Sequence, residues 1–327
     1  MPNDPTEAIK ANFDLLAGEL SKRIVGHSSL IRHMYICLLC GGHALIEGLP
    51  GLGKTLTVKT FSRALDLAYS RIQFTPDLMP ADILGTNIVN VDEKGRRFFE
   101  FYKGPVFGQV ILADEINRAS PKTQSALLEA MQEQRVTLYG KGYQLDPPFM
   151  VLATQNPIEM EGTYPLPEAQ IDRFFFKLKV SYPDSDELVD IIDRTTADEA
   201  EPVAHVLDAE TILGMQLLAR QVPIAEHVKR YAVRLVEASH PGNRGAIDKI
   251  RKYVRFGASP RGAQTLVMAA KINALLSGRS NASRDDIRTI AKPALRHRIM
   301  LNLRGAAEGV DPDEIVNDLV GFTQGKK

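Results

Sequence analysis

Eight residues, Gly48–Thr55, carry the clearest chemistry in this chain. They read GLPGLGKT, which matches the G-x-x-x-x-G-K-[ST] pattern of a phosphate-binding loop. Glycines let consecutive backbone N–H groups turn toward one anion, and a following helix N-terminus adds partial positive charge. The spacing therefore predicts that Lys54 reaches the β- and γ-phosphates of a nucleotide and that Thr55 holds a magnesium ion. The residues assigned to nucleotide contact in this stretch are Gly48, Pro50, Gly51, Leu52, Gly53, Lys54, Thr55 and Leu56.

Two acids follow a later apolar run. The run VILAD ends in Asp114, and Glu115 comes directly after it. At the end of a strand beside a phosphate loop, the first acid can hold the magnesium ion and the second can polarise a water for attack on the γ-phosphate. The alternative is that both acids cap the next helix. The sequence has no N-K-x-D for reading guanine and no evident acceptor site, so ATP hydrolysis is favoured over GTPase or kinase activity.

Three more polar residues stand where predicted elements begin or end. Asn156 ends the run MVLATQNP and either orients the attacking water or forms a turn before Pro157. Arg173 precedes an apolar strand and either pairs with Asp172 or stabilises transition-state charge across a subunit boundary. Arg261 lies in the first turn of a predicted helix, where a cation opposes the helix dipole. That position favours an anion site over a plain surface role.

The elements that must position these residues alternate along the first half of the chain. Apolar runs that predict strands are separated by segments with helical periodicity. The predicted strands are 44–46, 70–75, 108–115, 149–157 and 174–180. Near-continuous apolar strands that alternate with helices predict a parallel sheet covered on both faces.

Two predicted hairpins, near residues 86–102 and 135–147, interrupt this alternation. The phenylalanines of the first hairpin are expected to pack it onto the domain. They are Phe98, Phe99 and Phe101. From Tyr182 onward the chain shows helical periodicity and no evident strand pattern. We therefore expect a nucleotide-binding core over residues 1–183 and a helical domain over residues 184–327.

Composition narrows the class of protein. The chain has 327 residues, and its 40 basic and 40 acidic residues cancel, so a nucleic-acid partner is not expected. Cys37 and Cys40, the only cysteines, lie in an apolar helical pattern that favours core packing over a redox or zinc site. The sequence shows no apolar run of membrane-spanning length and no signal-peptide pattern. We expect a cytoplasmic protein.

Five motifs, in this order, resemble those of the MoxR family of AAA+ ATPases, a family related to the magnesium-chelatase ATPase subunit. They are GLPGLGKT, ILADEINRA, QSALLEAMQEQRVT, LATQNPIEMEGTYPLPEAQIDRF and GASPRG. The resemblance runs from about Arg23 to about Arg304. It implies a phosphate-loop αβα sandwich with a parallel sheet, followed by an all-α lid. It also implies ATP and Mg²⁺ as cofactors, bound at subunit interfaces of a homo-oligomeric ring that is usually a hexamer.

The same resemblance implies a role for each candidate residue. The roles are Walker A for Lys54 and Thr55, Walker B for Asp114 and Glu115, sensor 1 for Asn156, arginine finger for Arg173 and sensor 2 for Arg261. Ile24, Val25 and Gly26 match the segment that lines the adenine pocket, and His27 stands where the family commonly has glutamine. Arg118, in DEINRA, is a second candidate for an interface role.

The family resemblance implies an ATP-driven remodeller or assembly chaperone. Such proteins commonly act on a client together with a separate partner that carries a von Willebrand factor A-type domain, sometimes to insert a cofactor or metal. The alternatives are a magnesium-chelatase-like motor subunit, a DNA helicase-type motor and a nucleotide-gated scaffold. Neutral charge disfavours the helicase, and the presence of Glu115 disfavours the scaffold. In a ring, the two hairpins would face the channel or the partners.

Overall fold

The computed structural model describes residues 5–157, 162–196 and 201–324, so the extreme ends of the two predicted domains lie outside the described residues. In the first half of the chain, helices and strands alternate around two hairpins. In chain order the elements are α1 (Pro5–Ser21), α2 (Ser28–Leu39), β1 (Ala44–Glu47), α3 (Lys54–Ala64), β2 (Tyr69–Gln73), α4 (Pro80–Leu84), β3 (Gly85–Val91), β4 (Arg97–Lys103), β5 (Val110–Asp114), α5 (Pro121–Glu133), β6 (Arg135–Leu138), β7 (Lys141–Gln144), β8 (Met150–Gln155), α6 (Glu168–Ile171) and β9 (Phe176–Lys179).

A five-stranded sheet forms the centre of this half, with the strand order β2-β5-β8-β1-β9. All four strand pairings are parallel. Successive residues of β1 enter different hydrophobic clusters: Ala44 and Ile46 join one, and Leu45 joins the other. This alternation follows from the two-residue period of a strand, and both faces are covered, so the strands are apolar throughout. The prediction of a covered parallel sheet is confirmed.

Two antiparallel ribbons project from this core, β3 with β4 and β6 with β7. At their bases Phe101 stacks on Tyr143 with ring centroids 4.2 Å apart. Further along β4, Phe98 is 46% exposed and Phe99 is 74% exposed. The expectation that all three phenylalanines pack the hairpin onto the domain is therefore wrong for these two. The ribbon extends past the core, so only the ring nearest its base is covered.

The chain is mostly helical from Ser185, and the prediction of a helical lid is confirmed. The elements are α7 (Ser185–Thr196), α8 (Ala209–Gln221), α9 (Glu226–Ala238), α10 (Asp248–Tyr253), β10 (Val254–Phe256), α11 (Pro260–Leu276), α12 (Arg284–Leu295), β11 (Met300–Leu301), α13 (Leu303–Ala307) and α14 (Pro312–Gln324). The sequence did not indicate β10 and β11, which pair antiparallel. Strands of three and two residues are too short to show alternation.

The lid packs directly against the N-terminal helices. Tyr35 of α2 is buried and donates a hydrogen bond to the sulfur of Met215 in α8, and Arg32 donates to Asn273 of α11 at 2.9 Å. Cys37 is buried in the same region as a free thiol, as core packing predicts. No helix among the described residues combines the length and apolar character that a membrane crossing requires.

Candidate nucleotide-binding site

The phosphate loop connects the end of β1 to the start of α3, and its glycines are required for two different reasons. Gly51 and Gly53 have φ angles of 80° and 69°, in the left-handed region that favours glycine. Gly48 is required for space, since a Cβ there would lie 2.9 Å from Cβ of Val180. The loop therefore has the backbone shape that turns N–H groups toward one centre at a helix N-terminus.

Lys54 is the first residue of α3, and its ammonium lies inside the loop. Nζ donates to the carbonyl oxygen of Leu49 at 3.0 Å and to that of Gly48. Burial lowers the pKa of Lys54, while the charges of Asp114 and Glu115 oppose that shift. An ammonium has three donors, and these neutral carbonyl partners can be exchanged for charged phosphate oxygens. Thr55 follows at the same helix N-terminus, half-buried.

The two acids lie at the end of β5, where the neighbouring strand β8 fixes them. Asp114 is only 8% exposed, and its Oδ1 accepts a hydrogen bond from the Thr154 hydroxyl at 2.6 Å. The same hydroxyl accepts the backbone N–H of Glu115 at 2.8 Å. Glu115 has a φ of 57°, so its backbone is left-handed at the residue that directly follows β5. Thr154 therefore sets both the carboxylate of the first acid and the backbone of the second.

Two residues of β2 complete the surroundings of the acids. Arg71 donates to Asp114 Oδ2 through Nη2 at 2.6 Å, and the same nitrogen donates to Gln73 Oε1 at 2.6 Å. Gln73 in turn donates to Glu115 Oε2 at 3.2 Å. Sequence reasoning did not identify Arg71, Gln73 or Thr154. The only available signal was the two-residue spacing of polar side chains in SRIQF, which places Arg71 and Gln73 on one face of a strand.

Asn156 and Arg118 lie near the same acids. Asn156 directly follows β8, between the strands that carry the phosphate loop and the acids, and it is buried. Arg118 forms an ion pair with Glu115 at 2.9 Å. The strands β5, β8 and β1 are parallel neighbours, so their carboxyl ends lie at the same edge of the sheet. That arrangement brings Lys54, Glu115 and Asn156 together. Residues 158–161, which continue the Asn156 motif, lie outside the described residues.

A cleft of about 360 Å³ opens beside the phosphate loop. Its lining is mostly apolar and comes from the segment before α2, from the loop and the start of α3, and from α7 with the residues just before it. The lining residues are Arg23, Ile24, Val25, His27, Gly51, Leu52, Gly53, Leu56, Thr57, Tyr182, Pro183, Leu188, Ile191, Arg194 and Thr195. Gly26 packs against the Glu187 side chain, where a Cβ would lie 2.7 Å from Oε1. Sequence reasoning missed the α7 residues, because periodicity shows that a helix has an apolar face but not what that face covers.

His27 lies between this cleft and α3. Its Nδ1 lies 3.1 Å from the Thr57 hydroxyl, and burial lowers its pKa, so the ring is neutral at neutral pH. Thr57 of α3 thus holds the His27 ring in place.

Arg173 and Arg261 lie at the opposite end of the sheet from the phosphate loop. Arg173 precedes β9, which runs parallel to β1, whereas the loop follows β1. Those four-residue strands alone span about 13 Å. Arg261 Nη1 lies 3.7 Å from Asp172 Oδ2, and both arginines line one cleft of about 320 Å³. The structure therefore brings the two arginines to one cleft, away from the phosphate loop of their own chain.

The ion pairs of Asp172 bear on the two interpretations of Arg173. Among the described residues, Asp172 pairs with Arg261 and Arg298, and Arg173 Nη1 instead donates to the Leu128 carbonyl at 3.4 Å. The interpretation of Arg173 as the ion-pair partner of Asp172 is therefore wrong. Its guanidinium faces an open groove of about 550 Å³.

The residues present fit a magnesium nucleotide. The loop offers backbone donors and an ammonium to phosphates, and the apolar cleft beside it is large enough for a base. Thr55 and Asp114 supply the oxygen ligands that Mg²⁺ prefers. No group of three or more His, Cys, Asp or Glu residues in the described part of the chain could hold a metal ion.

Comparison with known proteins agrees with this geometry. Residues 43–176 match the ATPase family associated with various cellular activities (AAA), and residues 249–319 match the AAA lid domain. The chain is 42% identical to Chaperone MoxR1 of Mycobacterium tuberculosis, over 91% of this chain and 78% of the relative. It is 34% identical to Protein MoxR of Methylorubrum extorquens, over 86% of each.

A solved structure extends the likeness to the whole fold. The crystal structure of a protein from Cytophaga hutchinsonii, inferred to be an ATPase, superposes with a TM-score of 0.90. That protein is 40% identical in sequence, and the match covers 97% of this chain and 96% of the other. With its phosphate loop, its paired acids and its helical lid, this chain belongs to the MoxR family of AAA+ ATPases.

Proposed function

We propose that this chain hydrolyses ATP with Mg²⁺ at the interfaces of a homo-oligomeric ring, a hexamer as the family resemblance implies. One observation carries the proposal: the sheet divides the candidate residues between its two ends. The phosphate loop with Lys54 follows the carboxyl end of β1, and Asp114 and Glu115 lie at the carboxyl end of β5. Arg173 and Arg261 lie at the other end of the sheet. A complete set around one nucleotide therefore requires two copies of the chain.

The chain's own residues have distinct parts in this proposal. Bound ATP supplies the γ-phosphoryl group, and Mg²⁺ supplies charge that neutralises its oxygens. Lys54 and the loop N–H groups hold the phosphates, while Thr55 and Asp114 hold the metal ion. Glu115 accepts a proton from the attacking water, and the Asn156 amide orients that water.

The adenine is assigned to the apolar cleft beside the loop. Ile24, Val25 and Gly26 form one wall of that region, and α7 forms the other. Leu188 and Ile191 of α7 would cover the base face opposite the segment before α2. The family resemblance implies only the wall formed by Ile24, Val25 and Gly26, and the cleft adds a second apolar wall from α7.

The cellular role is a proposal from the family. The name of the mycobacterial relative, Chaperone MoxR1, supports a chaperone-like remodeller of partner complexes. A von Willebrand factor A-type partner, a client and cofactor or metal insertion stay predictions, as does a cytoplasmic location. The alternatives are a magnesium-chelatase-like motor and, with less support from a neutral chain, a DNA helicase-type motor. The division into residues 1–183 and 184–327 is likewise proposed.

The test compares two variants of the nucleotide site. Glu115→Gln keeps shape and hydrogen bonding but cannot take a proton, so it should bind ATP normally and lose about 10²–10⁴-fold in turnover. Lys54→Ala removes a phosphate contact, so it should weaken binding of a fluorescent nucleotide. Wild-type protein without ATP turnover, or near-normal turnover in Glu115→Gln, would contradict the proposal.

A further inference from the structure

Three consecutive residues after α12 bind the outer strand of the sheet or the residues just before it. Arg296 donates to the Lys177 carbonyl at 3.1 Å, and His297 Nε2 lies 3.0 Å from the Phe174 carbonyl. Arg298 binds the turn before β9. Strand β9 pairs with β1 on one side only, so these lid residues satisfy carbonyl groups that no strand covers.

Arg298 is the most deeply buried of the three, with its side chain only 2% exposed. Each of its five N–H donors has an acceptor, which is the full capacity of a guanidinium. The acceptors are Asp172 Oδ1 at 3.0 Å for Nε, the carbonyls of Phe175 at 3.2 Å and of Ala294 for Nη1, and the carbonyls of Asp172 at 3.2 Å and of Phe174 at 2.7 Å for Nη2. Arg298 thus binds the backbone immediately before and after Arg173.

Asp172 is shared between the buried arginine and an exposed one. Its Oδ1 accepts from Arg298 and also from the Ser259 hydroxyl at 2.8 Å. Arg261 is 48% exposed, and its Nη1 lies 3.7 Å from Oδ2, too far for a hydrogen bond. The carboxylate is therefore held firmly by Arg298 and only loosely by Arg261.

We propose that Arg298 is a positioning residue for Arg173 and Arg261, a role that rests on the proposed ATPase function. By fixing the carbonyls on both sides of Arg173, it holds that residue's backbone at the end of the sheet that faces a neighbouring copy. By neutralising Asp172, it also lets Arg261 leave that carboxylate for a phosphate of the neighbour. Without Arg298, the departure of Arg261 would strand a largely buried carboxylate, which is costly.

The charge needed for this role persists at neutral pH. Burial lowers the pKa of Arg298 to about 10, and the Asp172 carboxylate opposes the shift. The guanidinium is therefore still protonated at pH 7. Ser259 and Arg261 of the lid both contact the Asp172 carboxylate of the core. Asp172 therefore links Arg261 to the backbone next to Arg173.

The test uses Arg298→Met in full-length protein, mixed with partner variants in one assembly. Two differently tagged chains are co-expressed and purified on both tags in turn, so every assembly contains both. Arg298→Met alone should bind fluorescent ATP within about twofold of wild type and lose at least about tenfold in kcat. Co-assembly with Glu115→Gln should restore activity, because the intact Glu115 of one chain then meets the intact Arg173 and Arg298 of the other. Co-assembly with Arg173→Ala should restore none.

Three results with the Arg298→Met variant would overturn the inference. They are an unchanged kcat, a loss of nucleotide affinity as large as the loss of kcat, and equal recovery with both partner variants. If Arg298→Met only impaired folding, co-assembly with Glu115→Gln and with Arg173→Ala would give the same activity. Recovery with Glu115→Gln alone therefore indicates a positioning role and not a loss of stability. Absence of wild-type ATP turnover, or retained turnover in Glu115→Gln, would instead reject the proposed function before any Arg298 variant is made.

Two further variants control for stability. Arg296 also contacts β9 but makes no contact with Asp172. Arg296→Met should therefore lower the thermal midpoint of unfolding and leave kcat within about twofold of wild type. The same partner-dependent loss in Arg296→Met would contradict a specific role for Arg298. Arg298→Lys keeps the charge but has three donors in place of five, so it tests the pattern if the methionine variant does not fold. Wild-type kcat in Arg298→Lys would also overturn the inference.

Discussion

The hydroxyl of Thr154 lies 2.6 Å from Oδ1 of Asp114 and donates a hydrogen bond to it across two neighbouring strands. The same oxygen accepts the N–H of Glu115 at 2.8 Å. A single buried side chain on β8 therefore orients the two acids that end β5. Its effect on hydrolysis can be measured separately from nucleotide binding.

Thr154→Val should lower kcat about 10–100-fold, the usual cost of removing a residue that orients a metal ligand. Valine fills the same space, so the fold should persist, but Asp114 and the N–H of Glu115 each lose a partner. Thr154→Ser keeps the hydroxyl and should stay close to wild type. Steady-state ATPase kinetics with both variants are the measurement, and equal rates for them would show that the hydroxyl is not needed.

ATP should drive self-association, because the γ-phosphate draws an arginine from the neighbouring copy. Light scattering with a non-hydrolysable analogue should give a mass well above the 36.2 kDa of one chain. Lys54→Ala is the control and should not respond at the same analogue concentration. A monomer at all accessible concentrations, with ATPase activity intact, would contradict the proposed interface site.

Arg173 should act on the nucleotide of the next copy. Arg173→Ala should lower kcat by roughly 10³-fold and change nucleotide affinity little, since the charge it stabilises develops in the transition state. Assemblies that contain both Arg173→Ala and Glu115→Gln chains should regain activity at sites that pair intact residues from each. If confirmed mixed assemblies stay inactive, Arg173 does not act across the interface. Arg118 then becomes the candidate for the same experiment.

Acid should destabilise the fold through His43. Its Nδ1 accepts the N–H of Val151 at 3.0 Å and its Nε2 lies 3.1 Å from the Met131 carbonyl, so the folded ring is neutral. Burial lowers the pKa of His43 to about 4, against about 6.5 in an unfolded chain. The unfolded state therefore binds more protons between these values. The contribution is complete above pH 6.5 and falls by about 2 kcal/mol at pH 5.

Urea unfolding at pH 7.5 and pH 5 measures this effect. His43→Gln can still accept from Val151 and donate to Met131, so it should lose less stability on acidification than wild type does. Burial also lowers the pKa of His297, so some pH dependence should remain in the variant. An identical pH dependence in the two proteins would rule out His43 as its source.

The phosphate loop could be predicted because its function depends on a contiguous stretch of backbone. Gly51, Gly53 and Lys54 need only their own strand and helix, which local patterns reveal. Arg71 and Thr154 could not be predicted, because their roles depend on β2 and β8 lying on the two sides of β5. Strand order is set by packing across the whole sheet, and one sequence does not show it.

The same limit explains the other differences. Leu188 and Ile191 lie on a helix whose apolar face was evident, but the nucleotide cleft it covers was not. Phe98 and Phe99 lie in a run whose pattern predicts a strand, but the exposure of their rings depends on how far the ribbon extends beyond the core. The start of a predicted strand indicates Arg173, and the first turn of a predicted helix indicates Arg261. Only the parallel pairing of β9 with β1 shows that both arginines lie away from the phosphate loop.

The contact between α2 and the lid bears on how this chain melts. Buried residues of α1, α2, α8 and α11 belong to the same hydrophobic cluster as Ala44 and Ile46 of the sheet. Cutting the chain after residue 183 would leave the apolar surfaces around Tyr35 and Met34 without their lid partners. The two halves should therefore unfold in one calorimetric transition, and neither half should fold stably as an isolated fragment.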